Sequence, residues 1–318
     1  MKSKSLLIIG GTGFFGQSIL KHLLSRNSLK MKINKIFILS RKKKKLVIYN
    51  KKLKKKIKII KINSNMLTVK KLPTVDYIVY AAILKNYKND HKAVKKYLNL
   101  AKRYHLKSKI IYISSGAIYG KQPKYIHGFN ESYLKFNNKI NFESGYKKEY
   151  SKIKLKNEGL FQEFGKIGGN VSVARCFSFV GEHLQRHSYY VIGNFINNII
   201  NKKNINVKAN YQIIRSYMHQ EDLARWLLKI INYSNNNCPI YNVGSDDAVF
   251  IHKLAGSLAK KYNLLTNCEN TKISQTKFDK YIPNINKAKK ELNLKINYSS
   301  SAAIIKTINL LKKNEKAN

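Results

Sequence analysis

Residues 6–24, LLIIGGTGFFGQSILKHLL, decide the fold. The four apolar residues at 6–9 read as a short buried strand and the glycines after them as a tight turn. Ile19, Leu20, Leu23 and Leu24 then recur at the spacing of one apolar helix face. Gly10, Gly13 and Gly16 thus form GxxGxxG on a strand-turn-helix. In such a unit the first glycine permits the turn and the second lets backbone amides approach a pyrophosphate. The third lets helix and strand pack closely, with the phosphate at the positive helix end. A dinucleotide site is the expected use.

Outward from this unit, apolar runs predict strands at 35–39, 57–62, 77–80 and 110–114, with a helix over 93–104. A further strand is expected at 171–174, helices around 194–201 and 223–231, and a helical tail over 302–312. Short apolar strands alternating with helices argue an α/β fold, a Rossmann-type doubly wound parallel sheet covered on both faces. We expect residues 1–174 to form the dinucleotide-binding domain, some later strands returning to its sheet. Residues 175–318 would form a smaller mixed α/β, mainly substrate-binding region.

Composition narrows the class. In 318 residues, 43% are hydrophobic, enough for a buried core and against a disordered basic tail. No apolar run reaches the roughly 18–20 residues of a membrane span, so a soluble, cytoplasmic protein is expected. Cys176, Cys238 and Cys268 form no CxxC pair, which argues against a metal site or a disulfide framework. The 62 basic and 16 acidic residues give a formal charge of +46, but only seven of the basic residues are arginine. Lysine, asparagine and isoleucine are the residues of AT-rich codons, whereas nucleic-acid readers favour the arginine fork. The charge therefore reads as composition, with no specific nucleic-acid or membrane partner. The dense runs RKKKK at 41–45 and KKLKKK at 51–56 read as a solvated face.

The end of the second strand bears on the cofactor. A carboxylate there would accept the ribose 2′-OH and repel a 2′-phosphate; this chain has Ser40-Arg41 followed by four lysines. NADP is preferred to NAD on that ground.

Tyr150 and Lys154 stand four apart, on one face of an expected helix, and form the only YxxxK in the chain. Upstream lies YISSGAIYG at 112–120, and Glu158 follows the lysine by four. In this context the chain resembles the extended short-chain dehydrogenase/reductase family, the NAD(P)-dependent nucleotide-sugar epimerases, dehydratases and reductases. GGTGFFG resembles the family's cofactor loop, YAA at 80–82 its fourth-strand end, SSGAIYG its serine motif and residues 150–158 its YxxxKxxxE helix. RCFSFVG at 175–181, RSYMHQEDLA at 215–224 and YNVGS at 241–245 resemble its later motifs.

The resemblance implies a catalytic Ser115, Tyr150 and Lys154. Tyr150 would exchange a proton with a sugar hydroxyl or ketone, Lys154 would lower the phenol pKa and hold the nicotinamide ribose, and Ser115 would hydrogen-bond the reacting oxygen. A tyrosine base near neutral pH needs about three pKa units, roughly 4 kcal/mol. An ammonium about 4–5 Å away at an effective dielectric of about 20 supplies on the order of 3–4 kcal/mol. Gly10, Thr12, Gly13, Phe14, Phe15, Gly16, Ser40, Arg41, Ala81 and Ala82 would line the cofactor with Tyr150 and Lys154. A nucleotide-sugar substrate would meet Arg215 at its diphosphate. Ser178, where relatives often carry asparagine, and the segment 183–190, a candidate lid, would lie beside it. His219 is expected to pack rather than bind, and Asp222 to cap the helix starting at 223. A homodimer through paired helices is also implied.

The dehydratases of this family carry an Asp-Glu pair where this chain has Gly116 and Ala117, neither able to transfer a proton. An epimerase or a 4-keto-sugar reductase is therefore favoured over a 4,6-dehydratase. A non-catalytic dinucleotide- or RNA-binding member of the fold is the alternative, and the intact Ser115, Tyr150 and Lys154 argue against it.

Overall fold

The computed structural model describes residues 3–25, 32–41, 57–136, 140–142, 145–185, 191–268 and 274–316. Strand β1 (Lys4–Ile9) is buried without alternation from Leu6 to Ile9, as befits a strand covered on both faces. Strands β2 (Ile33–Ser40), β3 (Lys58–Asn63), β4 (Tyr77–Tyr80), β5 (Lys109–Ser115) and β6 (Asn170–Cys176) pair with their neighbours in parallel. With β11 (Ile240–Val243) they form a seven-stranded sheet ordered β11-β6-β5-β4-β1-β2-β3. The chain moves outward from β1 to β2 and β3, then returns to the other side of β1 as β4. The carboxyl ends of β1 and β4 therefore flank the switch point where open α/β sheets bind ligands.

This sheet is the Rossmann-type α/β architecture expected from the alternating pattern. Helix α1 (Phe14–Leu23) follows β1, α2 (Tyr87–Tyr104) joins β4 to β5, and α3 (Tyr146–Lys166) precedes β6. Helix α2 is capped by Asn86, whose side chain accepts the Asn89 N–H at 3.0 Å. Helices α2 and α3 are seated on the sheet by the buried rings of Tyr80, Tyr97, Tyr112 and Phe161, Tyr112 and Phe161 stacking at 4.4 Å. Such aromatic pairs add about 0.5–1.5 kcal/mol each beyond their burial.

By contact density the chain divides into two units. One comprises Met1–Gly120, Phe142–Cys176 and Leu223–Asn242, and includes the large sheet. The other comprises Lys121–Asn141, Phe177–Asp222 and Val243–Asn318. It holds small sheets: β7 (Phe179–Val180) beside β10 (Met218–His219), β8 (Ile205–Val207) beside β13 (Thr266–Cys268), and β9 (Tyr211–Arg215) between β12 (Val249–Phe250) and β14 (Ser274–Tyr281). Besides one short helical turn, Tyr133–Phe136, its helices among the described residues are α4 (Val191–Ile200), the start of α5 (Gln220–Ile230), α6 (Ile251–Lys261), α7 (Asn286–Leu292) and α8 (Ser300–Lys316). Phe195, Ile199, Leu254, Leu258, Ile304 and Ile308 belong to its core.

Helix α5 begins at Gln220, so Asp222 lies inside the first turn rather than capping a helix that starts at 223. Its Oδ2 accepts the Asn297 N–H at 2.9 Å. Helix α6 and the short strands of the second unit are not among the expected elements. Among the described residues no helix is long and apolar enough to cross a membrane. The lysines at 42–45 and the run at 51–56 lie outside the described residues.

Candidate functional site

The glycine loop sits at the switch point. Backbone hydrogen bonds tie both strand ends to β1, from Gly10 N–H to the Leu39 carbonyl and from Ala81 N–H to the Ile9 carbonyl, each 2.9 Å. Gly10 has φ +90°, and a Cβ there would stand 2.7 Å from the Ala82 nitrogen, so both conformation and space demand glycine. At Gly16 a Cβ would stand 2.3 Å from Gly11 Cα, so this glycine lets the helix close onto the loop itself. Gly13 differs, because a Cβ there would meet only the Gly10 carbonyl oxygen, at 3.4 Å. Among the described residues, packing does not require glycine at 13. Gly13 is also the N-cap of α1, with no side-chain cap and no acid in the first turn. These residues fit the pyrophosphate of a dinucleotide, which a helix amino end attracts.

Phe14 and Phe15 open α1 with their rings edge to face at 5.8 Å. Thr12 Oγ1 and Ser40 Oγ are hydrogen-bonded at 2.7 Å, which joins the loop to the end of β2. Ser40 is buried, Arg41 beside it is exposed, and Ala81 and Ala82 are half-buried past β4.

Ser115 ends β5 and is buried; its Oγ accepts the Ala117 N–H at 3.2 Å, leaving the hydroxyl hydrogen to donate elsewhere. Gly116 and Ala117 open the following 3-10 turn, Gly116–Tyr119. Tyr150 is half-buried on α3, its ring 6.0 Å from that of Tyr87, which in turn stacks on Tyr146. Lys154, one turn on, is 4% exposed and donates to the Ile113 carbonyl at 2.9 Å. Burial pushes the Lys154 pKa down, while Asp90, Cys176 and Glu158 pull it back up. That burial is a cost the four-residue spacing could not reveal.

The same strand end and helix, β5 and α3, also carry a buried polar layer that the sequence reading did not assign. Arg175 Nη2 meets Glu158 Oε2 at 2.8 Å, Arg175 Nη1 donates to the Tyr119 hydroxyl at 2.9 Å, and that hydroxyl donates to Asn242 Oδ1 at 2.8 Å. Ser114 Oγ donates to Glu158 Oε1 at 2.5 Å. Burial opposes the Arg175 charge, but Glu158 and Tyr119 outweigh it and hold the guanidinium pKa above its usual range. Asp90 and Asn157 form a second pair at 3.2 Å. One signal was present: Asp90, Asn157 and Glu158 occupy buried-stripe positions of their helices, where apolar residues are the rule.

In the second unit Arg215 is already paired, its Nη2 with Asp279 Oδ2 at 2.5 Å and its Nη1 with the Asp279 carbonyl at 2.9 Å. Ser178 is half-buried and its carbonyl accepts the Met218 N–H at 3.0 Å. His219 is fully buried with its ring 5.1 Å from that of Tyr298. Of the candidate lid, residues 186–190 lie outside the described residues. A cavity of about 540 Å³ on α8, lined by Tyr298, Ile305, Lys306 and Leu310 among others, holds none of the predicted site residues. Among the described residues no three His, Cys, Asp or Glu side chains gather as a metal site.

The fold is shared with solved enzymes. A dTDP-glucose 4,6-dehydratase from Bacillus anthracis, in complex with NAD, superimposes with TM-score 0.77 at 17% identity over 99% of this chain and 98% of that one. A UDP-glucose 4-epimerase from Thermotoga maritima, with UDP-glucose, gives 0.75 at 15% identity over 98% of this chain and 99% of that one. A UDP-N-acetylglucosamine 4-epimerase from Methanobrevibacter ruminantium, with UDP-N-acetylmuramic acid, gives 0.73 at 18% over 100% and 99%. No curated protein matches the chain. The model of the NAD dependent epimerase/dehydratase family matches residues 6–244, and the chain accordingly belongs to that family.

Proposed function

We propose that this chain is an enzyme that moves a hydride at a carbon of a nucleotide-activated sugar, as an epimerase or a 4-keto-sugar reductase. The carrying observation is the loop at the switch point, where Gly13 has space that protein atoms do not need. When bound there, a nicotinamide dinucleotide supplies or accepts the hydride. NADP is the preferred form, because β2 ends in Ser40 and an exposed Arg41 with no carboxylate to repel a 2′-phosphate. Residues 1–174 would hold the dinucleotide and 175–318 would mainly meet the sugar nucleotide.

Tyr150 is the proposed proton donor and acceptor at the substrate oxygen. Ser115, its oxygen occupied by the Ala117 amide, would point its hydroxyl hydrogen at that same oxygen. Lys154, fixed by one N–H on the Ile113 carbonyl, keeps two more for the ribose hydroxyls and favours the phenolate by its charge. Arg215 would meet the diphosphate and Ser178 the same substrate, Arg215 exchanging part of its contact with Asp279. Dehydration is disfavoured, since Gly116 and Ala117 offer no acid or base beside Ser115. The proposed assembly is a homodimer.

The test is to incubate the purified protein with a panel of nucleotide sugars and 4-keto sugars, with NADH and NADPH in parallel, following absorbance and product identity together. Net NADPH oxidation identifies a reductase, and a new epimer without net cofactor change identifies an epimerase. A 4-keto-6-deoxy product would overturn the exclusion of dehydration, and no turnover of any member would overturn the proposal.

A further inference from the structure

Asp90 is a buried carboxyl that the chemistry above leaves unused. It is 2% exposed on the stripe of α2 that also carries Val94, Tyr97 and Ala101. Its Oδ1 accepts the Leu84 N–H at 2.8 Å and its Oδ2 accepts the Asn157 Nδ2–H at 3.2 Å. The other end of that amide, Asn157 Oδ1, stands 2.7 Å from His91 Nδ1. Asn157 lies three residues past Lys154 on the buried face of α3, so the carboxyl is aimed at the face from which the lysine projects.

Two buried acids therefore stand near one buried lysine, and they differ. Glu158 is closed by Arg175 at 2.8 Å. Asp90, among the described residues, has two hydrogen-bond donors and no arginine or lysine in ion-pair contact. A buried carboxylate without a counter-ion is costly, and so is a buried ammonium. Burial raises the Asp90 pKa and lowers that of Lys154, and beyond burial each is the other's strongest charge partner. Lys154 also donates to the Ile113 carbonyl and stands over the Tyr112 ring, both of β5. The other groups that bear on its charge are the Cys176 thiol of β6, whose pKa burial pushes up, and Glu158 of its own helix, already paired with Arg175.

We propose that Asp90 is a positioning residue for the Ser115–Tyr150–Lys154 site: its carboxylate, aimed by Leu84 and Asn157, is the counter-charge that keeps Lys154 an ammonium seated on the Ile113 carbonyl. The inference deepens the function proposed above and rests on it for its catalytic meaning, but the pairing itself is measurable without substrate. Removing the anion lets Lys154 lose its proton at lower pH, so the limb of a rate profile that reports its ammonium moves acidward.

The test is a cycle of Asp90→Asn, Lys154→Met and the double variant, read by urea unfolding of the full chain. Pairing predicts that the double variant exceeds the sum of the singles by about tenfold or more in the folding equilibrium constant. It also predicts that Asp90→Asn is neutral or stabilising once residue 154 is methionine. Additive losses overturn the proposal, as does a double variant that fails to fold while Lys154→Met folds, since Asp90 would then serve packing alone. In turnover, Asp90→Asn shifts that limb of the kcat/KM profile acidward by about one pH unit; a uniform loss at every pH with no shift overturns the role. A wild-type chain that turns over no substrate while the cycle still shows coupling would sink the proposed function and leave the pair standing.

Discussion

Glu158→Gln removes one charge from the buried layer and keeps the shape of the side chain. Glu158 is 1% exposed and Arg175 4%, and the guanidinium meets the carboxylate through Nη2 at 2.8 Å and through Nε at 3.2 Å to each oxygen. Glutamine retains an oxygen able to accept from Ser114, so the variant isolates the charge. Arg175 cannot shed its proton in compensation, because an arginine does not titrate in a protein. The Tyr119 hydroxyl at 2.9 Å, under a ring whose centre is 5.1 Å from the guanidinium carbon, would remain its nearest support. Breaking a buried pair from one side costs about 3–5 kcal/mol, and at about 2–4 °C per kcal/mol the thermal midpoint falls by roughly 6–20 °C. Urea unfolding followed by far-UV circular dichroism, with a thermal scan, measures it. Glu158→Leu combined with Arg175→Met buries no charge and should lose less than either single change. A Glu158→Gln loss below about 1 kcal/mol, or a double variant as unstable as the sum of its singles, would refute the reasoning.

Gly13→Ala should fold as the wild type does, because its Cβ meets only a carbonyl oxygen at 3.4 Å. Its affinity for the dinucleotide, followed by NADPH fluorescence, should fall about tenfold, or 1.4 kcal/mol; unchanged affinity would mean that no phosphate approaches there. His105 makes stability pH-dependent. It is fully buried, and its Nε2 stands 2.9 Å from the Pro73 carbonyl, so that nitrogen carries the hydrogen and donates, while Nδ1 finds no hydrogen-bond partner among the described residues. Burial lowers its pKa from 6.5. The unfolded chain therefore takes the proton first as pH falls, so this contribution is complete above about 6.5 and is lost as pH drops toward the depressed folded value. His105→Gln, which can donate to the same carbonyl, should flatten the fall in urea midpoint between about pH 7.5 and 5.5; an unchanged slope would contradict the assignment.

What could be read from the sequence was what short range determines. The apolar run at 6–9, the three glycines and the helix after them form one local unit whose chemistry is written in consecutive residues, and the structure builds it as expected. The parallel sheet followed from the same logic, since strands buried on both faces are continuous apolar runs. Helix α6 carried a readable signal in Ile251, Leu254, Ala255 and Leu258, all buried at helical spacing. Strands β8, β9, β13 and β14 carried little, because segments such as SQTKFDKY lack both apolar runs and clean alternation. Nor could a single sequence pair residues far apart. Glu158 meets Arg175 across 17 positions and Tyr119 meets Asn242 across 123. Lys154 appeared at the right spacing, but its burial, and the Asp90 carboxyl opposite, depend on how α2 and α3 pack.

The claim at the centre is that the Tyr150 hydroxyl carries the proton that accompanies hydride transfer. Tyr150→Phe keeps the ring that packs 6.0 Å from Tyr87 and removes only that oxygen. With the substrate identified by the panel, single-turnover hydride transfer should fall by about 10²–10⁴-fold while NADPH affinity changes by less than about threefold. Transfer at the wild-type rate would contradict the account.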